Sequence, residues 1–131
     1  MNYVVYERKV FFYETDAQGI VHHSNYPRYF EEARGFFLEK KGLPYEIIRD
    51  KLNIDIVLLE LKIKYKEYLR FGDRFKIKAV LTDMNKYFFS FKYTLQTQNK
   101  KVVCEGYTKH CCINRNTKKI VSIPKQISDL I

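Results

Sequence analysis

Three stretches in the second half of the chain alternate apolar and polar side chains residue by residue, and this limits the fold more than any other feature. Val57, Leu59, Leu61, Ile63 and Tyr65 take one side of the first stretch, while Leu58, Glu60, Lys62, Lys64 and Lys66 take the other. Phe75, Ile77, Ala79 and Leu81 alternate with Lys76, Lys78 and Val80. Tyr87, Phe89, Phe91, Tyr93 and Leu95 alternate with Phe88, Ser90, Lys92, Thr94 and Gln96. A period of two describes strands with one wet face; parallel strands covered on both sides read as continuous apolar runs. The breaks between them are short and polar: Arg70-Phe71-Gly72-Asp73, Asn85-Lys86 and Asn99-Lys100. Tight connections need antiparallel neighbours, so the pattern predicts a meander. A fourth strand follows over Lys101 to Ile113, and one of its faces (Val102, Cys104, Gly106, Thr108, His110, Cys112) is mostly small. Small side chains let another element approach the sheet closely.

That element is a helix. Tyr26, Tyr29, Phe30, Ala33, Phe36 and Phe37 recur at three- and four-residue spacings, which gathers aromatic rings on one side. Ser24 or Asn25 is placed to cap it, and Pro27 is tolerated in a first turn. Lys40 and Lys41 suit the C-terminal dipole, and Gly42 can end the helix. Gly35 in mid-helix costs about 1 kcal/mol relative to Ala and suggests close packing. A first strand is expected within Tyr3 to Thr15, a shorter helix over Pro44 to Lys51, and a terminal helical turn from Pro124 to Ile131. One apolar helix with a mostly antiparallel sheet curled around it buries every apolar face, an α+β architecture in a single domain, residues 1–131.

Composition excludes several classes. The longest aliphatic run, Ile56-Val57-Leu58-Leu59, is far too short for a bilayer span, and the N-terminal residues lack a signal-peptide layout. Three cysteines, an odd number with no Cys-x-x-Cys, fit a reducing cytoplasm. Cys111 and Cys112 are adjacent and point to opposite faces of a strand, so a zinc site drawn from Cys104, His110, Cys111 and Cys112 would lack convergence; no metal is expected. The net charge of +9 is uneven: residues 1–59 hold eight Lys/Arg against nine Asp/Glu, and residues 60–125 hold sixteen against five. A basic half suits an anionic partner or a solvated, solubilising sheet face. Single-stranded nucleic acid is one such partner, but most aromatics fall on core positions, which leaves few stacking platforms.

Between the first strand and the long helix lies Tyr13-Glu14-Thr15-Asp16-Ala17-Gln18-Gly19-Ile20-Val21-His22-His23-Ser24-Asn25-Tyr26. Asp16 is a carboxylate at a strand end, Gly19 can take a positive φ that reverses the chain, and the segment feeds a helix N-terminus with free N–H groups. As a plain turn it needs no chemistry, since Asp is a common cap and turn former. As a site it suits acyl transfer: donors hold an oxyanion while a carboxylate attacks or activates water. A thioester fits, because its thiolate leaves with little need of an acid.

The spacing Tyr13-x-x-Asp16-x-x-Gly19-x-Val21-x-His23-x-x-Tyr26, followed by Tyr29-Phe30-Glu31-x-Ala33-Arg34, resembles the 4-hydroxybenzoyl-CoA thioesterase family, and within it the YbgC-type acyl-CoA thioesterases. The resemblance is dense over about residues 6 to 41. It implies a hot-dog fold, a five-stranded antiparallel sheet around one long helix, in a dimer or dimer of dimers with active sites at the subunit interface. It implies Asp16 as nucleophile or general base, a backbone N–H near His23 polarising the carbonyl, and Gly19 and Ser24 shaping the substrate position. No cofactor is implied, coenzyme A being part of the substrate. His23 orients substrate or Asp16, or only packs; His22 reads as substrate wall or surface. Glu31 and Arg34 form a helical pair or meet another subunit. Coenzyme A carries phosphates, and Lys86 and Arg115 are the expected contacts. Phe36 stands where relatives often carry an acid. A non-catalytic acyl-binding or scaffold domain of the same fold is the alternative.

Overall fold

In the computed structural model, which describes residues 2–131, strand β1 (Tyr3–Lys9) leads through a 3-10 turn (Phe12–Glu14) to helices α1 (Asn25–Lys40) and α2 (Tyr45–Leu52). Strands β2 (Ile54–Tyr65), β3 (Arg74–Met84), β4 (Phe88–Thr97) and β5 (Val102–Asn114) follow, then β6 (Ile120–Val121) and the short helix α3 (Lys125–Ser128). The antiparallel sheet has the order β1-β3-β4-β5-β2, with β6 added beside β5 as a short sixth member.

β3, β4 and β5 form the predicted meander, but β2 is not its first strand. β2 pairs with β5 from Ile54 opposite Asn114 to Tyr65 opposite Cys104, and β3 lies between β1 and β4. Residues 66–73 therefore cross the end of the sheet instead of turning tightly. Leu69, fully buried, anchors that crossover, and the Val21 N–H donates to its carbonyl at 2.8 Å. The predicted faces of β2 also change midway, because a bulge interrupts the register between Leu58 and Glu60. Ile56 and Leu58 share the inner side with His110 and Cys112, whereas beyond the bulge Leu61, Ile63 and Tyr65 do so; the expected inward placement fails for Val57 and Leu59.

α1 lies in the concave face. Tyr26, Tyr29, Phe30, Ala33 and Phe37 are buried, and each large ring removed from water contributes about 2–3 kcal/mol. Phe36 is half-buried against Tyr6, with ring centroids 5.5 Å apart. The helix and sheet touch at Gly106, where a methyl group would overlap the Phe30 ring, with Cζ only 2.6 Å away. Gly35 leaves room for the Tyr45 ring of α2, 3.3 Å from where a Cβ would stand. Gly42 ends α1 with φ +75°, its N–H donating to the Glu39 carbonyl while Leu43 N–H donates to Leu38. One long helix cradled by a curled antiparallel sheet is the hot-dog fold.

Candidate active site

The segment ahead of α1 closes on itself as a small hairpin. Thr15 bridges Val21, Asp16 N–H donates to the Ile20 carbonyl at 2.8 Å, and Gly19 N–H donates to the Asp16 carbonyl at 3.0 Å. Gly19 sits at φ +80°, as the reversal requires. Asp16 is half-buried; its Oδ1 accepts the Gln18 N–H at 2.8 Å, and its Oδ2 has no partner among the described residues. One carboxylate oxygen thus fixes the side chain and the other is left for chemistry.

The hairpin is held by Glu14, which the sequence reading passed over. Its buried carboxylate accepts the Phe11 N–H at 2.8 Å and a 2.6 Å ion pair from Arg8 Nη2. Arg8 also holds Glu32 on α1 at 2.8 Å and lies over the rings of Phe11 and Tyr29. The Glu14 carbonyl accepts the His22 N–H at 2.9 Å and Asn25 Nδ2 at 2.8 Å, so one residue ties both ends of the hairpin to the start of α1. These bonds pull residues 10–15 out of the sheet, which is why β1 stops at Lys9 rather than near Thr15. The one signal in the sequence was a lone acid inside an aromatic run. Glu14→Gln keeps the acceptor oxygen but leaves Arg8 with one carboxylate, and we expect a loss of catalytic rate of about tenfold or more with a smaller change in KM, read by steady-state kinetics.

At the helix start, neither expected cap forms. Ser24 occupies the N-cap position, but its hydroxyl shares a 2.8 Å hydrogen bond with His22 Nδ1; Asn25 reaches back to Glu14. The His23 N–H donates to no backbone carbonyl among the described residues. It stands at the positive end of the α1 dipole, one residue past the strand-like pairing of Glu14 with His22, and is available to an incoming oxygen. The rings of His22 and His23 lie 4.3 Å apart, tilted by 31°, on the exposed side.

A cavity of about 490 Å³ opens between α1, α2 and the inner faces of β2 and β5, and neither Asp16 nor His23 is among its lining residues. It runs from Pro27 and Arg28 in the first turn of α1 past Glu31 to Arg34, with Tyr45, Leu58 and His110 on its walls. Arg34 Nη1 donates to the Tyr93 hydroxyl at 3.1 Å, and a guanidinium can only donate. Tyr93 Oη shares a 2.6 Å hydrogen bond with Thr108 Oγ1, which in turn shares one of 2.8 Å with His110 Nε2. Glu31 and Arg34 do not pair within the protomer.

Burial, with the charge of Arg34 adding to it, pushes the His110 pKa down to about 3. The unfolded chain then binds the extra proton first as pH falls below about 6.5, so stability is full above that value and declines toward pH 3. Between pH 7 and 4.5 the wild type should lose about 2 kcal/mol more than His110→Gln, measured by denaturant unfolding at both pH values.

The basic residues expected at a phosphate site lie elsewhere. Lys86, in the β3–β4 turn, and Arg115, after β5, are at the end of the sheet opposite the Asp16 hairpin. Arg115 Nε is 3.3 Å from Asp55 Oδ1 and its N–H donates to the Asn53 carbonyl. Strand direction separates them: Asp16 neighbours the end of β1 and the crossover, where Ile20 bridges Arg70. Arg70, exposed and stacked 5.1 Å over Tyr68, is the cation the structure brings there. Lys62, Lys64, Lys76, Lys78 and Lys92 are exposed on the outer face. The three cysteines are free and buried, and no cluster of three or more His, Cys, Asp or Glu among the described residues can hold a metal ion. No helix among them is long and apolar enough to cross a membrane.

Comparison with known proteins gives the family and agrees with the fold. The model of the thioesterase-like superfamily matches residues 10–131. The chain belongs to that superfamily. Within it, the chain is similar to a hypothetical protein of Aquifex aeolicus of known structure, with 46% identity, a TM-score of 0.92 and coverage of 97% of this chain and 98% of that one. It is 27% identical to a 1,4-dihydroxy-2-naphthoyl-CoA hydrolase of Crocosphaera subtropica, over 95% of this chain and 93% of the relative. It is 26% identical to the acyl-CoA thioesterase YbgC of Helicobacter pylori, over 94% and 96%. The motif that resembles the YbgC type therefore sits in a chain whose superfamily and fold agree with it.

Proposed function

We propose that the protein hydrolyses an acyl-CoA thioester to the free acid and coenzyme A, with Asp16 and the His23 N–H acting on the same carbonyl. The carrying observation is the division of labour at Asp16: Oδ1 is tied to Gln18 N–H while Oδ2 is free, beside a helix start whose side-chain caps point elsewhere. The carbonyl oxygen accepts from the His23 N–H and gains negative charge as the C–S bond breaks. Oδ2 either removes a proton from water, which attacks the carbonyl carbon, or attacks it directly, giving an acyl-aspartyl anhydride that water cleaves. Both routes end in a carboxylic acid and the thiol. Gly19 shapes the hairpin and Ser24 holds His22, so these two position the site.

The active unit in this reading is a homodimer. β2 is an edge strand of twelve residues, and Leu58, Leu59 and Leu61 are 47%, 44% and 41% exposed. A long apolar edge invites pairing with another strand. Two-fold pairing of β2 with its copy sets the Arg115 end of one protomer beside the Asp16 end of the other, which makes Arg115 and Arg70 candidates for the coenzyme A phosphates. No such pairing brings the β3–β4 turn there, so Lys86 leaves the set. Thiol release from a panel of acyl-CoAs tests the activity. Single turnovers in ¹⁸O-water separate the routes, since label enters the Asp16 carboxylate only if Asp16 attacks.

A further inference from the structure

We propose that the exposed rings of Phe12 and Phe71 form a seat for the adenine of coenzyme A, with Arg70, Lys9 and Arg74 meeting its phosphates. The inference rests on the thioesterase reading for what enters the site, and adds where the nucleotide end of that molecule lies. Phe12 and Phe71 are 73% and 60% exposed, and their rings meet edge to face with centroids 5.6 Å apart. Single exposed rings are ordinary on a protein surface, whereas a paired set so bare marks a contact site. A T-shaped pair leaves one ring face open, and a flat base stacks on such a face.

The charge around the rings has the sign that a nucleotide requires. Lys9 and Arg74 are exposed and stand directly opposite each other in the β1–β3 register, a like-charge pair that costs stability until an anion joins it. Neither they nor Arg70 has a carboxylate partner among the described residues. Acids at this end of the sheet are engaged: Asp73 Oδ2 accepts the Arg70 N–H at 2.8 Å, Glu67 pairs with Lys101 at 3.0 Å, and Arg8 holds Glu14. The rings are also tied to the Asp16 hairpin. Ile20 bridges Arg70, the residue before Phe71, and the Thr15 N–H donates to the Phe12 carbonyl at 3.1 Å. Phe12 precedes Asp16 by four residues, so their Cα atoms are separated by at most about 14 Å. The arm of coenzyme A between sulfur and pyrophosphate matches about four extended residues in backbone length, about 15 Å. A thioester held at Asp16 therefore brings the base within reach of both rings. In the two-fold dimer of the thioesterase reading, the two ring pairs lie at opposite ends of the joined β2 strands. No single flat surface meets both, whereas each pair can hold its own nucleotide.

The chain has no tryptophan, so Phe71→Trp supplies a single fluorescent reporter at the seat. Adenosine 3′,5′-bisphosphate should quench it saturably, whereas inorganic pyrophosphate, which has the charge without the base, should not. Turnover gives a second readout. Phe71→Ser should cut the kcat/KM preference for an acyl-CoA over the acyl-pantetheine of the same acyl group by about tenfold, the worth of one base stacked on a ring. A purely structural loss lowers both esters alike; an unchanged preference overturns the inference. No quenching by the bisphosphate, or equal quenching by pyrophosphate, overturns it as well. Two other occupants are open to the same reporter. Phosphatidylglycerol vesicles that quench it where the bisphosphate does not would assign the rings to a bilayer. A Phe71→Ser protein that loses its dimer, with no quenching by the bisphosphate, would assign them to a subunit contact. Either result overturns the nucleotide seat. If no acyl-CoA is cleaved, the thioesterase reading falls, and the quenching still decides the seat.

Discussion

Asp16→Asn is expected to lower kcat/KM by about a thousandfold while leaving the melting temperature within a few degrees of wild type. The two effects separate because the two carboxylate oxygens have different duties. The amide oxygen of Asn can still accept the Gln18 N–H, so the hairpin closed by Asp16 N–H to Ile20 and Gly19 N–H to Asp16 keeps its shape. What is lost is the negative charge on the free oxygen, and with it either proton removal from water or attack on carbon. A fall in activity accompanied by a large loss of stability would mean that Asp16 serves the turn. A variant of near wild-type activity would remove it from the reaction.

Gly106→Ala should produce the largest loss of stability of any single methyl added to the sheet, about 3 kcal/mol, or roughly 10 °C in melting temperature. Phe30 has no room to retreat: it is fully buried and stacked on Tyr93 with planes 8° apart and centroids separated by 4.4 Å. Phe30→Leu costs stability by itself but should recover part of the loss in the double variant, with a coupling of about 1 kcal/mol or more between the two sites in a double-mutant cycle. Additive losses would show that the helix does not bear on the sheet at Gly106. The prediction concerns function as well, since the seating of α1 on β5 sets both the direction of the helix start and the width of the cavity.

The fold was readable where one physical period governs a segment. The alternation over Phe75–Leu81 and Phe89–Leu95 placed those faces correctly, whereas Tyr87, read with the second of them, lies outside β4 and is exposed; the small face of β5 foretold the contact with α1 at Gly106. It failed where long-range pairing decides. Nothing local in residues 66–73 distinguishes a loose hairpin from a crossover; the burial of Leu69 does, and that depends on the whole core. A bulge inside an unbroken apolar-polar pattern is equally silent, so Val57 and Leu59 were assigned to the wrong face. Of the site, Asp16, Gly19 and the helix start were legible because turn chemistry and helix-end chemistry are local. Glu14 and Arg8 were not, because a buried ion pair is defined by residues that meet only after folding. The distance of Lys86 and Arg115 from Asp16 within one protomer was hidden for a related reason: charge along a sequence does not say which end of a strand it occupies.

The most direct test is a structure of the protein bound to an acyl-CoA analogue in which a methylene replaces the thioester sulfur, so that the carbonyl remains but cannot be cleaved. The carbonyl oxygen should lie about 3 Å from the His23 nitrogen, and its carbon should face the free oxygen of Asp16 directly or through one water. An acyl carbonyl seated away from the α1 N-terminus, with the Asp16 carboxylate turned into solvent, would contradict the assignment of both residues.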